Sequence, residues 1–142
     1  MRIRTIVLTG MVFCLFVMVV GCASGPQVTP SKTQVPADVQ AFFDKFARDI
    51  ATQKMDVIGA NYSDKFLQGG FNKEGFLYVL SGSISMVTKY SVKLTKYEVD
   101  KNNPNIAHIE GSADLGFMAA DFAPGSMIIK EDGQWKWYGN QK

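Results

Sequence analysis

The hydrophobic pattern changes its period once along this chain, near Met86, and that change restricts the fold more than any other feature. Before it, apolar residues recur at helical spacing. In "PADVQAFFDKFARDIATQKM", Val39, Phe42, Phe43, Phe46, Ala47, Ile50 and Ala51 stand at steps of 0, 3, 4, 7, 8, 11 and 12, one stripe of an amphipathic helix. Pro36 suits a helix start, and Asp38 complements the positive end of the helix dipole. "DVIGANYSDKF" reads as a shorter second helix carrying Val57, Ile58 and Tyr62. "LQGGFN" breaks the chain through Gly69 and Gly70. Asn72 is placed to cap a third helix, "KEGFLYVLSGSISM", with Phe76, Val79, Leu80 and Ile84 on one side.

After Met86 the period is 2. "TKYSVKLTKYEV" sets Tyr90, Val92 and Leu94 against Lys89, Ser91 and Lys93. The phase then slips by one and resumes at Tyr97 and Val99, as a β-bulge requires. "KNNPN" is a turn. "IAHIEGSADLGF" keeps Ala107, Ile109, Gly111, Ala113, Leu115 and Phe117 in one phase; "APGS" turns the chain again. "MIIK", "EDGQ" and "WKWY" read as strand, hairpin turn and strand. Three helices followed by about four antiparallel strands define an α+β layered domain, with the helices packed on one face of a curved sheet.

The N-terminus has a different character. "MRIRT" is basic, Ile6 to Val20 is a run of 15 residues without charge, and Gly21 and Cys22 follow. These are the parts of a secretory leader. As a helix the run is about 22 Å long, short of the roughly 30 Å of a hydrocarbon core. Val19-Val20-Gly21-Cys22 resembles the lipobox of bacterial lipoproteins. The resemblance implies cleavage before Cys22, a thioether-linked diacylglycerol on its sulfur, and an acyl group such as palmitate on its new amine. Two or more acyl chains anchor stably where one does not. Ala23, in place of the Asp that often retains such proteins at the inner membrane, implies an outer-membrane location facing the periplasm in a cell that has an outer membrane. The expected organisation is a signal peptide over 1–21, the acylated cysteine and a flexible tether over 22–36, and one domain over 37–142. The tether assignment rests on "ASGPQVTPSKTQVP", which holds three prolines and too little apolar surface for a core.

Removing the leader takes Cys14, Arg2 and Arg4 with it. The basic count falls from 15 to 13, against 13 acidic residues, so the mature chain is near neutral and its charge argues for neither nucleic acid nor an acidic substrate. Cys22 is the remaining cysteine and His108 the one histidine. A disulfide, a catalytic thiol and a zinc site are therefore not expected. Neither a phosphate-binding glycine loop nor a serine nucleophile elbow is present, and no cofactor is expected.

The helix-helix-helix order, the phenylalanine-rich first helix and the ending "DGQWKWYGNQ" resemble the NTF2-like superfamily over residues 37 to 142; a cystatin-like fold is the alternative. The resemblance implies a cone with a pocket between sheet and helices. Some members are isomerases or cyclases and many others bind or dock without chemistry, so function is to be argued from the site. Expected pocket-lining residues are Tyr62, Phe76, Tyr90, Leu115, Phe117, Trp135 and Trp137. The expected role is non-catalytic: binding of a small apolar ligand or an envelope partner protein. The enzyme alternative uses Asp121 as base, because the strand phase from Ala107 turns it inward, with Tyr62 or Tyr90 as donor; a turn role before "APG" competes with it. A third alternative is a structural homodimer through the outer sheet face. His108 shares the solvent face with Glu110, Ser112 and Asp114. Trp135 and Trp137 share one face of the last strand, for core or pocket. Lys89, Lys93, Lys96 and Lys101 form a basic comb that reads as a solvated strand face.

Overall fold

The structure, a computed structural model, describes residues 34–142. The leader, the lipobox with Cys22 and most of the tether lie outside the described residues. Helix α1 spans Ala37–Thr52 and α2 Met55–Gly59. Strands β1 (Tyr62–Gln68) and β2 (Phe71–Asn72) precede α3 (Lys73–Ser81) and a 3-10 turn at Ile84–Met86. Then come β3 (Ser91–Val99), β4 (Ile106–Asp114), β5 (Ala119–Asp121), β6 (Met127–Glu131) and β7 (Gln134–Gly139). The three helices pack on a curved sheet of seven strands ordered β2-β1-β7-β6-β4-β3, with β5 paired to β4.

The expected α+β class holds, but the sheet has seven strands rather than about four, and it is mixed rather than antiparallel, because β1 runs parallel to β7. The strand that local pattern hides is β1. Its buried residues Tyr62, Ser63 and Phe66 include an i,i+4 aromatic pair that mimics a helical stripe. The register of β1 against β7 shifts between Tyr62 and Leu67, and such an irregularity breaks the alternation that marks a strand.

Elsewhere local chemistry sets the elements. The predicted face of α1 is buried at Val39, Phe42, Phe43, Phe46 and Ile50, and Gln53 closes the helix in the left-handed conformation with φ 56°. The Asn72 side chain caps α3 by accepting from the Gly75 amide at 2.9 Å. The phase slip in β3 is a register shift between Leu94 and Lys96 opposite β4. Gly111 lies opposite Leu94 there, where a Cβ would collide with the Lys93 carbonyl.

Two polar networks fix α1 on the rest. At its start, Asp38 Oδ2 accepts from Trp135 Nε1 and from Lys130 Nζ, each at 2.8 Å. At its end, Asp49 Oδ2 accepts from Lys45 Nζ at 2.6 Å and from the buried Asn61 amide at 2.7 Å. Burial raises the Asp49 pKa while the hydrogen bonds from Lys45 and Asn61 lower it, and the net direction is down. The carboxylate therefore stays charged and holds the α2–β1 junction.

Candidate functional site

The interior of the cone is an aromatic cage. Trp137, inward on β7, has its ring centroid 6.0 Å from Phe42, 5.5 Å from Phe43, 5.9 Å from Phe46 and 5.3 Å from Phe122. Phe46 also meets Tyr62 at 5.8 Å and Tyr90 at 5.1 Å, and Tyr62 meets Phe66 at 5.1 Å and Phe76 at 5.6 Å. Most of these pairs are edge-to-face, the arrangement the ring quadrupole favours. The interior is therefore held by ring packing. At its rim, Phe76, Leu80, Tyr90 and Phe122 are half-buried.

Polarity inside the cage is sparse. Burial pushes the Tyr62 phenol well above its ordinary pKa, with a smaller contribution from neighbouring Tyr90, and burial alone does the same to Tyr90. Both hydroxyls remain protonated at any physiological pH. Among the described residues, the Trp137 indole Nε1 is a buried donor with no hydrogen-bond partner. Phe122 stands at 89° to its ring and Phe43 at 70°, so aromatic rings surround the indole, and N–H···π contact is only a weak substitute for a true acceptor.

Tyr62, Phe76, Tyr90 and Trp137 are thus brought together in one aromatic cluster. Leu115 is buried beside them in an adjoining cluster with Ala113 and Ala120, against which Tyr90 and Phe122 also pack. Phe117 is 52% exposed. Trp135 is buried on the expected face, but its indole is committed to Asp38, with Lys130 Nζ 5.3 Å from its ring centroid. Phe122 escaped the sequence reading, because a lone Phe before "APG" carries no periodic signal.

Asp121 does not face inward. Leu115 N–H bonds to the Met118 carbonyl at 2.8 Å, and this turn reverses the chain so that β5 returns along β4. Ala120 then pairs with the inward Ala113, and Asp121 pairs with Ser112 on the solvent side. Cross-strand partners share a face, so Asp121 is exposed and Ala120 is buried. The strand phase that runs from Ala107 does not carry through this turn.

His108 lies on the outward face as expected, with a partner the sequence did not reveal. Its Nε2 is 2.8 Å from Asp100 Oδ2, and the other Asp100 oxygen accepts from the Asn102 and Asn103 amides. These bonds, His108 first, hold the Asp100 carboxyl below its usual range. The arrangement closes the β3–β4 hairpin beside a shallow groove of about 410 Å³ that includes Lys96, Glu98, Lys101 and Glu110. Two of the four comb lysines are paired: Lys89 with Asp114 at 2.7 Å, Lys96 with Glu110 at 3.1 Å. Among the described residues, no group of three or more His, Cys, Asp or Glu gathers to hold a metal, and no helix is long and apolar enough to cross a membrane.

The architecture defines an NTF2-like fold. Three solved structures share it: a substituted variant of Rd1NTF2_05 (TM-score 0.54, 10% identity, 70% of this chain and 90% of that one); Bd1075 of Bdellovibrio bacteriovorus (0.52, 13%, 72% and 37%); and an NTF-2 like protein of unknown function from Silicibacter pomeroyi DSS-3 (0.52, 13%, 72% and 89%). Identities this low show the fold alone. No family model and no curated protein matches the sequence.

Proposed function

We propose that this protein is a bacterial envelope lipoprotein whose domain binds a small apolar ligand without transforming it. On this reading, residues 1–21 are removed, acylated Cys22 and the tether to residue 36 hold the chain at the outer membrane, and residues 37–142 form the binding module. The ligand reading rests on one observation: the interior is packed with aromatic rings and, among the described residues, holds no carboxylate. Its titratable groups are the Tyr62 and Tyr90 phenols, both held protonated by burial. Proton transfer near neutrality needs a base, and Asp121 stands outside. An apolar wall with few polar groups is the usual lining of a binding site.

The test is titration with N-phenylnaphthylamine, read as energy transfer from tryptophan. Saturable emission that disappears when urea unfolds the chain is the expected result. Emission that rises linearly, without saturation, overturns the ligand reading.

A second reading, the homodimer, rests on Ile106 and Met127, which are half-buried on the outer sheet face. Ile129, in register with Ile106 and Lys136 on that face, is already covered within the chain. Sedimentation equilibrium showing a monomer at high micromolar concentration eliminates this reading.

A further inference from the structure

The Trp137 indole identifies what the ligand must carry. Its Nε1 is buried with no hydrogen-bond partner among the described residues, and the side chain is only 9% exposed. A buried donor without an acceptor is a standing cost, and such groups in native structures call for an explanation. The other tryptophan shows the contrast: Trp135, two residues earlier on the same face, has its Nε1 satisfied by Asp38 at 2.8 Å.

The side chain best placed to give way is Phe122. It is half-buried, meets the Trp137 ring at 5.3 Å edge-to-face and lies 6.2 Å from Phe43 in a stacked arrangement. It belongs to the connector between β5 and β6, where its backbone is held by one bond from its amide to the Gly111 carbonyl at 2.8 Å. Rotating its side chain outward leaves that bond intact. The rotation uncovers a ring-sized space against Trp137 and Phe43, the two rings that Phe122 meets. The other polar tips in the cage, Tyr62 and Tyr90, are donors as well, since burial keeps both protonated.

Resting on the ligand reading above, we infer that the site takes a flat apolar molecule bearing a hydrogen-bond acceptor oxygen, which replaces the Phe122 ring and accepts from Trp137 Nε1. The aromatic walls supply affinity for the apolar body. The indole selects for the acceptor, because a molecule without one leaves the donor as unpartnered as before. An acidic group is not called for, since among the described residues no cation belongs to the cage.

The chain contains two tryptophans, so its indole N–H region in a ¹H–¹⁵N spectrum holds two side-chain signals, assigned by the loss of one in Trp137→Phe. The full chain is titrated with acetophenone and, separately, with α-methylstyrene, which has the same shape but a CH₂ in place of the carbonyl oxygen. Acetophenone is expected to move the Trp137 signal downfield, saturably and with at least tenfold higher affinity than α-methylstyrene, and to leave Trp135 in place. Phe122→Ala should bind acetophenone at least tenfold more tightly than wild type. Equal affinities for the two probes at Trp137 overturn the acceptor inference while leaving the apolar-ligand reading intact. A Trp137 signal unmoved by either probe, in the wild type and the variant, overturns both. Should Phe122→Ala not fold, the wild-type comparison of the two probes decides alone.

Discussion

Asp38→Ala tests how the first helix is held to the sheet. The Asp38 carboxylate makes three interactions across a sequence separation of up to 97 residues: Trp135 Nε1 and Lys130 Nζ at 2.8 Å, and the Val39 amide at 3.0 Å. Truncation leaves the Trp135 donor unsatisfied on a side chain that is 8% exposed, at a cost of about 1–3 kcal/mol. The Lys130 pair is half open to solvent, so screening reduces its part to about 0.5 kcal/mol. Loss of the acid at the helix start removes about 0.5 kcal/mol more. The expected total is about 2–4 kcal/mol, which for a domain of this size lowers Tm by roughly 10 °C or more.

Thermal unfolding followed by circular dichroism at pH 7 measures this, with Lys130→Met as a companion expected to lose less than about 1 kcal/mol. The acid limb gives a second check. The Lys130 hydrogen bond first, and the Trp135 bond second, lower the Asp38 pKa in the folded state. A lowered carboxyl contributes stability above its unfolded value, near pH 4, and loses it as pH falls through the folded value. The gap between wild type and Asp38→Ala should therefore narrow below about pH 4. A variant that melts within 2 °C of wild type at pH 7 refutes the argument that this carboxylate holds α1 in place.

Four further outcomes follow from the same structure. Phe46→Ala removes a ring that meets Phe42, Tyr62, Tyr90 and Trp137 and should cost about 3–5 kcal/mol, measured by urea denaturation. Gly139→Ala places a Cβ against the Leu67 carbonyl at a φ of +80°; loss of the β1–β7 pairing should appear as insoluble or unfolded protein, and a soluble native variant contradicts the register. Asp121→Asn, at an exposed outward position, should change stability by no more than about 0.5 kcal/mol and leave probe binding unaltered. For the anchor, intact mass and detergent partition of protein from native envelope should show a chain beginning at acylated Cys22. In Cys22→Ser both the acyl mass and the partition should be lost, and an unacylated soluble wild type removes the lipoprotein reading.

Much of the site was legible because its residues lie on regular elements. The α1 stripe delivered Phe42, Phe43 and Phe46 to the interior, and alternation in β7 delivered Trp137. What escaped was irregular. Phe122 sits in a connector, and the role of Asp100 depends on meeting His108 across a hairpin. Phe117 continued the phase of β4 on paper, but the strand ends at Asp114, and the turn beyond it carries the ring outward.

The sequence by itself determined the α-then-β order, the buried face of α1, the Asn72 cap and the β3 bulge. Each depends on neighbours within a few residues, where periodicity and side-chain chemistry act directly on the backbone. Tertiary structure decided the parallel pairing of β1 with β7, the reversal that turns Asp121 to solvent, and the different fates of two tryptophans on one strand face. Whether an indole finds an acceptor depends on which distant side chain packs over it. Asp38 reaches the Trp135 indole, and no acceptor reaches the Trp137 Nε1 among the described residues, a difference that no local pattern encodes.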